Sequence, residues 1–186
     1  ILTDPSYFNQ IINFTFPHIG VVGANFEDYE SDRIYASGCI INNPVSVASN
    51  FRSKMDFEKW LKLNKKVCVS NIDTRALTKR IRNLGACKAL IHFPKNAYFE
   101  NMTNLKTKLM KFPSMKNLDL ASEISTSYKY KWFNQKKLRS FKINKSFIAV
   151  IDFGIKKNIL NILSSSIYDV IAVSYTHLTL PTRLPV

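Results

Sequence analysis

Glycine is scarce in this chain, five residues in 186, and cysteine scarcer still, at three. The shortage of glycine excludes one class of function at once. A nucleotide-binding loop needs glycines at fixed spacing between a strand and a helix, so that backbone N–H groups can approach a phosphate. The nearest stretch, "GVVG", lacks that context, and Gly20 and Gly23 read as turn residues. The cysteines, Cys39, Cys68 and Cys87, are odd in number and have no metal-ligand spacing, so no zinc framework or disulfide scaffold is expected. They fit a reducing cytoplasm, each as a small buried hydrophobe, and no neighbouring His singles out a reactive thiol. Histidine is equally sparse. His18 and His92 lack partners at metal or triad spacing and read as packed, hydrogen-bonded residues. Long apolar runs are missing too. None approaches the roughly 18 residues that span a bilayer, so no membrane partner is expected.

Acid is the last shortage: 13 Asp and Glu stand against 27 Lys and Arg, a net charge of +14. Such an excess invites a nucleic-acid reading. The densest tract, "YKYKWFNQKKLRSFKINK" at residues 128–145, carries seven bases and five interleaved aromatics without an acid. A surface that stacks bases and contacts phosphates could have that composition. Lysine, asparagine and isoleucine are abundant along the whole chain, however, and no nucleic-acid fold motif is present. A basic hairpin in a compositionally biased protein is the better reading, so no nucleic-acid partner is expected. A basic, non-catalytic nucleic-acid-binding or subunit-docking module stands as the alternative.

What is present is an α/β pattern. Asp-Pro-Ser-Tyr at residues 4–7 is a turn, with Pro supplying the fixed φ and Asp the entry. Apolar residues 1–2 and 11–14 read as strands on either side of it, so the chain begins in mid-turn and is expected to be cut at its front. "GCIINN" (38–43) and "KVCVSN" (66–71) are compact runs bounded by turn formers, hence buried strands. "DFEKWLKLN" (56–64) places Phe57, Trp60 and Leu61 on one helical face, with Asp56 as its cap. In "DTRALTKRIRNLG" (73–85), Asp73 or Thr74 caps a helix whose Leu77, Ile81 and Leu84 share a face, and Gly85 ends it. Arg75 and Arg82 are charges on the helix face or for docking. A third helix spans 103–111. Residues 146–173 then read strand, tight turn, helix, strand, the opening of a parallel α/β domain. The tail from Ser174, "SYTHLTLPTRLPV", breaks the pattern and is expected to be non-native, so nothing is drawn from His177.

Seven collinear stretches together resemble one family. They are residues 1–7, "FTFPHIGVVGAN", "ESDR", "SNFRS", "IDTRALTKRIRNLGA", "NLDLASEIS" and "IDFGIKKNIL". The family is the small, glutamine-hydrolysing subunit of carbamoyl-phosphate synthase. Asp152-Phe153-Gly154 alone would suggest a protein kinase, but neither a glycine-rich loop nor an H-R-D motif accompanies it.

The resemblance implies a mixed β/β/α N-terminal domain over residues 1–112, lacking its start, and a connecting region with a basic hairpin over 113–146. Residues 147–173 would be the first β-α-β of an incomplete class I glutamine amidotransferase domain of flavodoxin-like type. The family's Cys-His-Glu triad, which forms a γ-glutamyl thioester and releases ammonia, would lie beyond the last of these residues. No catalytic residue is therefore assigned, and this polypeptide alone is expected to hydrolyse nothing. One site residue carries over: Ser6, in "TDPSY", would contact the substrate glutamine. Read from the residues alone, its hydroxyl closes its own turn. The implied partner is the large subunit, which holds the ATP and Mg and makes carbamoyl phosphate for arginine and pyrimidine synthesis. No cofactor or metal is implied in this chain. A piece with open strand edges is expected to be poorly soluble by itself.

Overall fold

In the computed structural model, which describes residues 1–85, 87–94, 96, 98–116, 118–143 and 146–177, the chain is an α/β protein with two sheets. β1 (Ile11–Asn13) and β2 (Gly38–Ile40) pair in parallel, and α1 (Phe57–Leu63) crosses over to β3 (Val67–Val69), which pairs in parallel with β2. α2 (Thr74–Leu84) follows. One row across this sheet is Ile12, Cys39 and Cys68, and all three belong to a core with Leu2, Ile34, Trp60 and Leu61. α1 forms because Trp60 and Leu61 can be buried together on one face.

Several local expectations need correction. Residues 1–2 are not a strand; instead the Leu2 carbonyl accepts from the N–H groups of Tyr35 and Ala36. Asp56 occupies the cap position of α1, but its side chain makes no cap hydrogen bond. In α2 the Asp73 carboxylate does cap, accepting from Ala76 N–H at 2.9 Å, and Gly85 closes the helix at φ +80°. Yet Leu84 is 68% exposed, because α2 is fastened at its first turns. Asn13 Nδ2 donates to the Thr74 carbonyl and Thr78 hydroxyl, both at under 3 Å. Of the cysteines, Cys39 alone is fully buried; Cys68 is half-buried and Cys87 exposed.

α3 (Met102–Lys111) buries no residue, and α4 (Leu120–Ile124) is a short helix capped by Asp119. The second sheet begins with the basic tract. β4 (Tyr130–Phe133) and β5 (Lys136–Leu138) form a hairpin through Asn134 and Gln135, both at positive φ as a two-residue hairpin turn requires. β6 (Phe147–Asp152), α5 (Lys157–Ser164) and β7 (Asp169–Ser174) form the expected β-α-β unit with β6 and β7 parallel. β4 pairs antiparallel with β7, giving the order β5-β4-β7-β6. Its core is Tyr130, Trp132, Leu160, Val170 and Ala172, and Trp132 Nε1 donates to Asn161 Oδ1 at 2.9 Å. Of the tail, Ser174 ends β7 and Tyr175–His177 make a 3-10 turn; residues 178–186 lie outside the described residues. No helix of the described residues is long and apolar enough to cross a membrane.

Candidate functional site

The turn at residues 4–7 becomes a single 3-10 turn, Pro5–Tyr7, with Asp4 as its cap. Pro5 suits the first position because its missing N–H has no partner to lose there. Asp4 Oδ1 accepts from Ser6 N–H at 2.9 Å, and Asp4 Oδ2 meets Lys156 Nζ at 2.7 Å. One carboxylate thus closes the turn and ties it to the segment between β6 and α5. Burial alone would raise the Asp4 carboxyl, but the Lys156 ammonium, the Ser6 N–H and the Ser6 hydroxyl outweigh it and hold it below its usual value. The same contact raises Lys156.

The receiving segment is equally constrained. Asp152 Oδ1 accepts from Gly154 N–H at 2.7 Å and from Ile155 N–H at 2.9 Å, while Oδ2 accepts from Thr126 N–H. Gly154 has φ +94°, and a Cβ there would stand 2.5 Å from Ile124 Cδ1 and 3.0 Å from Pro5 Cβ. Only glycine allows the turns to approach so closely. Two further carboxylates complete the junction. The Glu30 backbone carbonyl accepts from Lys157 N–H at 2.8 Å and its Oε2 from Asn158 N–H at 3.3 Å, the acid sitting at the positive end of α5. Asp32 meets Lys157 Nζ at 2.7 Å and Lys137 Nζ at 3.5 Å. Lys157 and Lys137 together hold the Asp32 carboxyl low, against a burial that raises it.

A cavity of about 600 Å³ lies along this junction, lined by Asp32, Arg33, Tyr35, Tyr130, Asp152 and Lys157 among others. Burial, reinforced by nearby Asp152, pushes the Tyr130 phenol well up. A second cavity of about 450 Å³ in the first half is mainly apolar, lined by Phe14, Phe16, Ile19, Tyr29 and Trp60, with His18 at its wall. His18 packs edge-to-face on Phe16; His92 does so on Phe99, and its Nε2 accepts from Glu100 N–H. No group of three His, Cys, Asp or Glu that could hold a metal occurs among the described residues.

Ser6 is exposed at the rim of the junction. Ser6 stands out in the sequence by resemblance, whereas Asp4 reads there only as the entry to its turn, and Lys156, Glu30 and Asp32 are not singled out. The signal was available: "TDPSY" and "ESDR" are acidic, "IDFGIKKNIL" is basic, and these are the stretches that meet.

The fold and this junction define a class before they define a family: an α/β chain whose small parallel sheet carries a polar turn pinned against a β-α-β unit. Residues 1–91 match the family described as carbamoyl-phosphate synthase small chain, CPSase domain. The carbamoyl phosphate synthase small chain of Buchnera aphidicola from Acyrthosiphon pisum is 42% identical over 171 residues, 88% of this chain and 43% of that protein. Those of Zymomonas mobilis and Bartonella henselae are each 41% identical, over 86% and 89% of this chain and 44% of each relative. The chain belongs to the carbamoyl-phosphate synthase small-chain family. It spans a little under half the length of the curated relatives it matches.

Proposed function

We propose that this chain serves in the small subunit of glutamine-hydrolysing carbamoyl-phosphate synthase. It would help dock the large subunit and present Ser6 to glutamine. Residues 147–173 would begin the glutamine amidotransferase domain, and the Cys-His-Glu triad would come from residues other than those of this sequence. Cys39, Cys68 and Cys87 lie outside the triad, so the chain alone hydrolyses no glutamine. Ammonia released in the complete subunit would pass to the large subunit. There, with bicarbonate and ATP held with Mg, it would yield carbamoyl phosphate for arginine and pyrimidine synthesis.

The observation that carries this reading is the agreement along 171 residues with a protein named as a carbamoyl phosphate synthase small chain. The seating of the Ser6 turn supports the role of Ser6. A hydroxyl on a Pro-set turn, fixed by Asp4 to the β6–α5 segment, is a short and preorganised donor for a carboxylate. On glutamine binding the hydroxyl would exchange the Asp4 carboxylate for that of the substrate.

A chimera tests it. Residues 1–173 replace the matching stretch of the Zymomonas mobilis small chain, which is combined with its large subunit. Glutamine-dependent carbamoyl phosphate formation is expected. Ser6→Ala should raise KM for glutamine about tenfold, the loss of one hydrogen bond to a charged group, and leave ammonia-dependent synthesis unchanged. An assembled chimera that uses ammonia but never glutamine would overturn the reading, and an unchanged KM would remove Ser6 from the pocket.

A further inference from the structure

Cys39 and Cys68 are register partners on the neighbouring parallel strands β2 and β3. Paired residues in a sheet project to the same face, and both cysteines pack in the cluster around Trp60. Neighbouring strands run about 4.8 Å apart, inside the roughly 4.4–6.8 Å range of Cα separations that a disulfide bridges. Access differs between the two: Cys39 is buried and Cys68 only half-buried, so a reagent reaches Cys68 first. The third thiol, Cys87, is exposed beyond the end of α2.

We propose that Cys39 and Cys68 form a reversible thiol–disulfide site, closed by a low-molecular-weight disulfide of the glutathione type. The Cys68 thiolate attacks one sulfur of the oxidant, forming a mixed disulfide and expelling one thiolate. Cys39 then gives up its proton to that thiolate, and its sulfur attacks Cys68 Sγ, expelling the second, which takes up from solvent the proton Cys68 released on ionising. One dithiol and one small disulfide become one protein disulfide and two small thiols. Polarity favours this order. The neighbouring Cys39 lowers the Cys68 thiol, whereas Cys68 and burial hold Cys39 protonated. Because Cβ atoms of parallel neighbours stay about as far apart as the strands, closure strains the sheet locally. The bond is correspondingly reducible. None of this depends on the glutamine reading.

The test uses the full chain in a series of reduced and oxidised glutathione mixtures, quenched with acid and mapped by peptide mass spectrometry. The expected product is a Cys39–Cys68 cross-link lacking two hydrogens, formed equally in the Cys87→Ser chain and opened by excess reduced glutathione. Trp60 fluorescence should fall as it forms, since Trp60 shares the cluster with both sulfurs. Early time points should hold the mixed disulfide on Cys68 at least tenfold over that on Cys39. A chain that stops at the Cys68 mixed disulfide overturns the proposal, as does one cross-linked through Cys87. The wild-type map decides the matter even if the serine variants fold poorly.

Discussion

Asp4 is the residue whose replacement says most about how the two halves are held. Its side chain is 6% exposed, whereas that of Lys156 is 40% exposed, so the pair lies between the surface and buried limits. Asn at this position keeps an oxygen for Ser6 N–H and loses only the charge. Discounted for the exposure of Lys156, Asp4→Asn should cost about 1 kcal/mol. Asp4→Ala also abandons the cap and should cost about 2 kcal/mol in all. In a double-mutant cycle with Lys156→Met, the coupling should be about 1 kcal/mol. Urea unfolding followed by fluorescence can read this, because Trp60 and Trp132 sit in separate cores. Single-tryptophan chains separate the two signals. A contact between halves stabilises whichever half unfolds first, so the earlier transition is the one that moves. The pH dependence has a fixed sign. Asp4 is lowered from 3.8 in the folded chain, so its contribution is complete above that value and lost as pH falls through the folded one. The gap between wild type and Asp4→Asn should therefore be constant at neutral pH and vanish in acid. A coupling below about 0.3 kcal/mol, within ordinary non-additivity, would refute the latch, and so would a gap that persists in strong acid.

Two further substitutions probe the scaffold. Gly154→Ala forces a Cβ to within 3.0 Å of Pro5 and Ile124 side chains at φ +94°; it should cost about 2 kcal/mol or more in urea unfolding, and a neutral result would show that the two turns are not in contact. Asp73→Ala removes the oxygen that caps Ala76 N–H and should cost about 1 kcal/mol, with Asp73→Asn recovering most of it, by the same measurement.

Much of the fold was legible because local signals and tertiary demands agree. The β-α-β unit announced itself through a continuous apolar strand, a Gly turn and a helix of one apolar face, and it stands where expected. α2 was legible from its cap and terminal glycine. The misreadings share a cause. Residues 1–2 are apolar and extended in pattern, yet Leu2 is buried as a loop residue whose carbonyl is satisfied by Tyr35 and Ala36, contacts more than thirty positions away. Leu84 fits the helical period, but α2 is fixed at its N-terminal end by Asn13, which no periodicity in α2 reports. Cys87 was grouped with the buried cysteines on residue type alone. The junction was half visible: Ser6 stood out by resemblance, whereas Asp4, Glu30 and Asp32 act on residues more than a hundred positions away, and a single sequence gives charge without giving its partner.

The basic tract shows how such a partner changes a reading. Its alternation of aromatic and basic residues suggests a face for stacking nucleic-acid bases, but "YKYKWF" is equally the period of two of a half-buried strand. In β4 the alternation places Tyr130 and Trp132 in the second core, 1% and 2% exposed. Between them Lys131 pairs with Asp169 at 2.8 Å, and Arg139 lies 3.9 Å from the Tyr128 ring centroid. Lys137 covers the Tyr130 ring and reaches Asp32. The Tyr128, Tyr130 and Trp132 rings are thus occupied from within, Phe133 alone of the β4 rings staying exposed, and three of the cations answer carboxylates or rings of the same chain. Lys156 and Lys157 turn toward Asp4 and Asp32, and residues 1–32 hold five acids and no Lys or Arg. An acidic first segment and a basic later one attract each other across the junction that carries Ser6.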